Sequence, residues 1–244
     1  MVTAPVGFQC RSCVAEHQRA TRRTRTLLAG PTTSRPTVTY TLIGICVAAF
    51  LWQLAAGVNN VAYGWGMAGW AIASGEWWRL LTSAFLHGSV LHLAFNMYIL
   101  FVLGRDLERL LGHARYLALY LLSALGGAVA SYWLSNPAGV SVGASGAVFG
   151  LLGATVIAGR YLRADVTQAL ILIGLNVVIG FIIPGIDWRA HLGGLVTGAL
   201  VAFILTRTAR RAPPARDTVA GSALAALAVV LVLAALLRTA ALLS

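Results

Sequence analysis

Apolar residues fall along the chain in seven runs, at about 38–57, 84–104, 115–134, 145–159, 167–183, 190–206 and 218–240. As helices rising about 1.5 Å per residue, runs of this kind cross a hydrocarbon core about 30 Å thick. The polar stretches between them are short, with two exceptions. The segment at about 58–83 is long and aromatic (Tyr63, Trp65, Trp70, Trp77, Trp78) but scarcely charged, as suits a membrane interface where Trp and Tyr gather. The stretch 207–217, with Pro213 and Pro214, reads as a linker before a last run made almost wholly of Ala, Leu and Val. The pattern predicts an all-α membrane protein divided into a polar, basic tail (1–37), a six-helix core (38–207), a linker (208–217) and a seventh helix (218–244).

Composition agrees. Hydrophobic residues make up 59% of the 244 and charged ones 10%, against about 25% charged in soluble domains, which excludes an ordinary soluble protein. All 18 basic residues are Arg, and the net charge is +11. The arginines sit between apolar runs and form no stripe interleaved with aromatics, so nucleic acid is not an expected partner. With the N-terminus inside, 15 arginines fall in inner segments and three (Arg79, Arg189, Arg238) in outer ones. The positive-inside rule therefore predicts a cytoplasmic N-terminus and an outer C-terminus. Three cysteines, one of them (Cys46) inside an apolar run, make no disulfide framework. The tail shows neither the apolar stretch nor the cleavage site of a signal peptide.

Strongly polar side chains within spanning helices are costly and mark candidate sites. Here they are Gln53, His87, His92, Asn96, Ser145, Asn176 and His191. Cytoplasmic arginines serve as depth markers. Ser145 lies 15 residues from Arg160 and His191 lies 16 from Arg207, which puts both about 22–24 Å above the inner boundary. His92, 13 residues from Arg105, computes to about 20 Å, and Asn96 to several Å less unless its helix has an extra inner turn. Gly146, Gly150 and Ala154 repeat every fourth residue on the fourth helix, as do Ala190, Gly194 and Gly198 on the sixth. Such stripes let membrane helices approach closely, and Ser145 and His191 each lie beside the top of one.

A serine hydroxyl becomes a nucleophile when a base such as histidine takes its proton, and the resulting oxyanion needs donors set in advance. Ser145 begins a helix, where free backbone N–H groups favour an anion, and Gly143 and Gly146 flank it. His92 and Asn96, at i and i+4, share a helix face. These residues are consistent with a serine hydrolase, though also with packing alone.

Residues 87–96 read HGSVLHLAFN, residues 143–146 read GASG, and residues 190–194 read AHLGG. In that order, on the second, fourth and sixth helices, they resemble the HxxxxHxxxN, GxSG and AHxxG motifs of rhomboid intramembrane serine proteases. Trp78-Arg79, Glu108 and Gly112 add to the resemblance, which covers about 40–207. It implies an intramembrane serine endopeptidase working by a Ser145–His191 dyad without a cofactor. The backbone of Ser145 and the side chains of His92 and Asn96 would form the oxyanion hole. Gly143, Gly146 and His87 would support it, and i to i+5 takes His87 off the face of His92. Phe149 stands where many relatives carry a Tyr against the histidine. Trp77, Trp78 and Arg79 read as scaffold for the first loop. All seven acids fall outside the spanning runs, and Asp187 reads as a loop residue rather than a third catalytic member. The irregular stretch 135–144 would line a watery indentation above Ser145. The implied partners are the lipid bilayer and transmembrane protein substrates, whose helix enters sideways past a mobile fifth helix (171–183). The expected location is the bacterial cell membrane.

Cys10, Cys13 and His17 have the spacing of half a zinc site, without an evident fourth ligand; a basic tail is the default reading. The alternative function is a catalytically silent relative that binds membrane helices, although such proteins usually lack the serine or histidine. A transporter would predict inverted repeats, and a zinc protease a His-Glu-x-x-His motif. Neither is evident.

Overall fold

The computed structural model describes residues 35–183, 185–212 and 214–244, together with the backbone of two short antiparallel strands, β1 (Val2–Thr3) and β2 (Phe8–Gln9). The first long helix is α1 (Thr37–Ala56). Then come α2 (Val58–Trp65), β3 (Met67–Ala68), α3 (Gly69–Ala73), α4 (Arg79–Thr82) and a single 3-10 turn, Ser83–Phe85. Two 22-residue helices, α5 (Val90–Leu111) and α6 (His113–Leu134), are followed by β4 (Val140–Ser141) and α7 (Ser145–Leu162). The chain ends with α8 (Thr167–Ile182), α9 (Trp188–Ala209) and α10 (Ala215–Leu243). The protein is an all-α membrane bundle, and six of the seven apolar runs form helices long enough to span.

The centre of the bundle is α6, α7 and α9, brought together by small residues. A Cβ on Gly194 would overlap the carbonyl oxygen of Gly146, and one on Gly198 that of Gly150. A Cβ on Gly127 of α6 would lie 2.8 Å from Ala190 O and 3.3 Å from Gly146 Cα. Thus the two stripes read from the sequence face each other, backbone against backbone. Around them pack buried large side chains, among them Tyr116, Leu119 and Tyr120 of α6, Leu151 of α7 and Leu205 of α9. The outer helices turn apolar residues outward, including Leu51, Phe95, Tyr98, Ile171, Phe181, Val230 and Leu237. So continuous an apolar exterior fits lipid rather than water.

The second run needs correction. Its helix is α5, which begins at Val90 rather than near 84 and continues to Leu111, past the expected end at 104. Arg105 does not end it, because its guanidinium lies 4.2 Å from the centre of the Phe101 ring, one turn back. The extra turns carry Glu108 into the helix and fully bury it, against the expectation that every acid lies outside the spans. Its carboxylate accepts from Val38 N (2.9 Å), Thr39 N (2.8 Å) and Thr39 Oγ1 (2.6 Å). Glu108 therefore caps α1, satisfying N–H groups that a helix start leaves free. Asp217 likewise falls within α10, paired with Arg115 at 2.6 Å. The fifth run forms α8, whose 16 residues rise about 24 Å, short of a full core. The connection between α9 and α10 is 210–214, narrower than the linker expected at 208–217.

The seventh helix is more than an appendage. Besides the Arg115–Asp217 pair, Tyr132 Oη and Thr239 Oγ1 share a hydrogen bond (2.9 Å). Trp133 Nε1 donates to Ala234 O (2.9 Å), and Arg238 Nε donates to Tyr132 O (3.2 Å). These contacts fasten α10 to α6 at both ends.

The stripe contact predicts a sharp contrast between glycines. Gly198→Ala should destabilise the protein by about 3 kcal/mol, at the upper end for core overpacking. Gly174→Ala on α8, where a Cβ would meet nothing within 4 Å, should be neutral or stabilising by about 0.5–1 kcal/mol. Thermal unfolding in detergent distinguishes the two.

Candidate active site

Helix α7 starts at Ser145 and α9 at Trp188, so Ser145 and His191 both lie in a first turn. The stripe below holds those turns together, and His191 Nε2 comes 2.8 Å from Ser145 Oγ. Phe149, one turn below the serine, stacks on the imidazole with centroids 4.2 Å apart and planes 10° from parallel. The expected aromatic partner of His191 is thus in contact with it. Among the described residues no group bonds His191 Nδ1, which is buried. Measured from the observed helix ends, Ser145 lies 17 residues from Leu162, His191 lies 18 from Ala209, and Asn96 lies 15 from Leu111. These spacings give about 26, 27 and 22 Å, so the extra turns of α5 raise Asn96 toward the level of the pair.

Gly143 has φ +140°, a conformation that side-chain-bearing residues rarely adopt. A Cβ there would lie 2.8 Å from His92 Cε1, 2.9 Å from His92 Nε2 and 3.5 Å from Ser145 Oγ. The missing side chain therefore lets the His92 ring pack against the backbone of Gly143, beside the serine hydroxyl. Asn96, buried one turn below, donates its amide to His92 O (2.9 Å) rather than to Ser145. Gly146 lies in the stripe contact, against Ala190 O.

His87 departs from the helical-face argument. Because α5 begins only at Val90, His87 sits in a loop, and its ring meets that of His92 edge-on with centroids 5.2 Å apart. Two residues to which the sequence assigned no role hold this loop. Gln53 of α1, fully buried, accepts from His87 N (2.9 Å) and donates to His87 O (3.0 Å). Ser89 caps α5 by accepting from His92 N (3.1 Å). The signal for Gln53 was available as a lone amide amid an apolar run.

The stretch before Ser145 is stitched to the first outer loop. Strands β3 and β4 pair antiparallel, Gly143 N donates to Ser83 O (2.9 Å), and Trp70 N donates to Pro137 O (3.1 Å). Arg79, buried, organises that loop by pairing with Glu76 (2.6 Å) and donating to Tyr63 O (2.7 Å) and Gly66 O (3.0 Å). A cavity of about 30 Å³ lies against Ser145, with Ser83, Ser131 and Ser141 in its wall. Asp187 bonds Ser131 and the backbone of Ala190 and makes no hydrogen bond to His191 Nδ1. Among the described residues no three His, Cys, Asp or Glu side chains are grouped to hold a metal. Cys10, Cys13 and His17 lie outside the described residues. Asn176 donates to Leu172 O of its own helix (2.8 Å) and lines, with Phe149 and His191, an apolar cavity of about 100 Å³.

The chain is similar to known proteins. Residues 74–208 match the family model described as the Rhomboid domain. The chain is 38% identical to Rhomboid protease GluP of Bacillus subtilis over 70% of its own length and 35% of that protein's. It is 37% identical to Putative rhomboid protease YdcA of the same organism, over 57% of this chain and 73% of that one. It is 34% identical to Rhomboid protease AarA of Providencia stuartii, over 54% and 58% of the two chains. Against GluP and RHOMBOID-like protein 1 of Arabidopsis thaliana the chain spans about a third of the relative's length.

The Gln53 contact yields a test. Gln53→Leu leaves both backbone groups of His87 without protein partners, and the unmade bonds should cost about 1–3 kcal/mol. The measurement is the thermal unfolding midpoint in detergent, with Asn60→Leu on exposed α2 as the control.

Proposed function

The chain belongs to the rhomboid family, and on that footing we propose that it is an intramembrane serine endopeptidase that cuts within or next to the transmembrane helix of another protein. The observation that carries the reading is the 2.8 Å approach of His191 Nε2 to Ser145 Oγ. That is within hydrogen-bond reach of a base and its nucleophile.

In this reading Ser145 Oγ attacks the scissile carbonyl carbon as its proton passes to His191 Nε2. The carbonyl π electrons move onto oxygen, and the oxyanion is stabilised by the backbone N–H of Ser145 and the side chains of His92 and Asn96. The close packing of the His92 ring against Gly143, beside Ser145 Oγ, supports that assignment for His92. For Asn96 the step requires its second amide hydrogen or a rotation away from His92 O. Collapse of the intermediate breaks the C–N bond, and the departing amine takes the proton from His191. A water then gives a proton to His191 and attacks the acyl ester. The second collapse returns the proton to Ser145 Oγ and releases the carboxylic acid. The serine-lined cavity of about 30 Å³ is large enough for a water. The Phe149 stack supports the imidazole orientation that the transfers need.

Residues 38–207 would form the catalytic core and 218–244 an added helix. The arginine distribution supports insertion in a bacterial plasma membrane with the N-terminus inside and the C-terminus outside, so that the site opens outward. Short, outward-facing α8 is the side by which a substrate helix would arrive from lipid.

Cleavage of a tagged single-pass membrane protein in liposomes tests the reading. Ser145→Ala and His191→Ala should each lower kcat by about 10⁴-fold or more. Asn96→Ala should lower it about 10²–10³-fold, as for loss of one oxyanion donor. Persistent cleavage by Ser145→Ala would overturn the mechanism. A folded wild type that neither cuts nor reacts with a fluorophosphonate would favour the silent, helix-binding alternative.

A further inference from the structure

We propose that Asp187 is a positioning residue for His191, tying the start of α9 to α6 through Ser131; this rests on the dyad reading above. Three contacts carry it. The backbone carbonyl of Asp187 accepts from His191 N (3.2 Å). Its Oδ1 accepts from Ala190 N (3.2 Å), capping α9. Its Oδ2 accepts from Ser131 Oγ on α6. One residue thus holds the backbone of both Ala190 and His191 and is itself held by a neighbouring helix.

The tether matters because of what His191 lacks. A catalytic histidine is often oriented by an acceptor on its second nitrogen, and here no group among the described residues bonds Nδ1. The ring is held by the Phe149 stack on one face and by the course of its own backbone. The glycine contacts press α9 against α6 and α7 at Ala190, Gly193 and Gly194, but they are packing contacts around a first turn, where helix ends fray. The Asp187–Ser131 link closes that turn. Ser131 is buried, its oxygen lies 3.1 Å from Ser135 Oγ, and the next residue, Tyr132, is bonded to Thr239 of α10. The anchor point on α6 is thereby itself braced.

A tether and a charge effect respond differently to asparagine. With Asp187→Asn the amide oxygen can still accept from Ala190 N, and the amide nitrogen can donate to Ser131 Oγ. The links survive while the negative charge is lost. Asp187→Ala removes both links, and Ser131→Ala removes only the one between helices. The experiment measures the rate of fluorophosphonate labelling of Ser145, with kcat and KM, on full-length protein in detergent, alongside the melting temperature. The tether predicts a fall in labelling rate and kcat of about ten-fold for Asp187→Ala and about three- to five-fold for Ser131→Ala, at unchanged KM. Asp187→Asn should recover to within about three-fold of wild type. Wild-type labelling in Ser131→Ala and Asp187→Ala overturns the proposal, as does an Asn variant as slow as the Ala variant. If Asp187→Ala does not fold, Ser131→Ala, which keeps the Ala190 cap, decides alone. Folded wild type that labels no more than Ser145→Ala would overturn the dyad reading, and the tether with it.

Discussion

The separation of Ser145 from His191 is set by backbone meeting backbone. Where α7 crosses α9, the carbonyls of Gly146 and Gly150 occupy the space that side chains on Gly194 and Gly198 would fill. In a bilayer there is little hydrophobic gain from bringing two apolar helices together, so close packing of small residues takes that part. Two rigid helices in contact at two successive turns have little freedom to slide or roll, and the hydroxyl and the imidazole are carried on the turn above. The proposed catalytic geometry is the upper end of a packing seam, with small residues directly below both candidate side chains.

A second constraint concerns helix ends. A bundle with so few charged residues has little polar surface with which to satisfy the N–H groups at its helix starts, and water is scarce nearby. Glu108 is inserted from α5 to cap α1, Asp187 caps α9, and Ser89 caps α5. The two carboxylates bond to a second helix as well as to their cap, so each fixes the placement of one helix against another. Gln53 works in the same manner on the His87 loop.

The sequence made the framework legible wherever the signal was local and periodic. Seven apolar runs, two small-residue stripes and the matching heights of Ser145 and His191 depend only on spacing, whereas Phe149 came from the family resemblance. What it obscured were contacts between distant segments. Glu108 looks like a loop acid because nothing nearby announces that the start of α1, about 70 residues earlier, will surround it. Arg105 looks like a membrane boundary because its stacking on Phe101 is invisible in composition. The His87–His92 contact was missed because the helix was started one turn and a half too early, and a helical wheel misplaces a loop residue. Ser131 and Asp187, 56 positions apart, share no pattern that pairs them.

The attachment of α10 has a mechanical side. Asp217 and Thr239 are separated by 22 residues along α10, while their partners Arg115 and Tyr132 are separated by 17 along α6. The two contour lengths are about 33 and 26 Å, so the pinned spans are unequal. Two parallel rods pinned at both ends cannot shear past each other without straining a pin. What they retain is common bending, so α6 and α10 respond to lateral pressure from the bilayer as one stiff beam that couples the edge of the bundle to its centre. Short, outward-facing α8 has no such pair of pins among the described residues, so it can bend without carrying a neighbour with it.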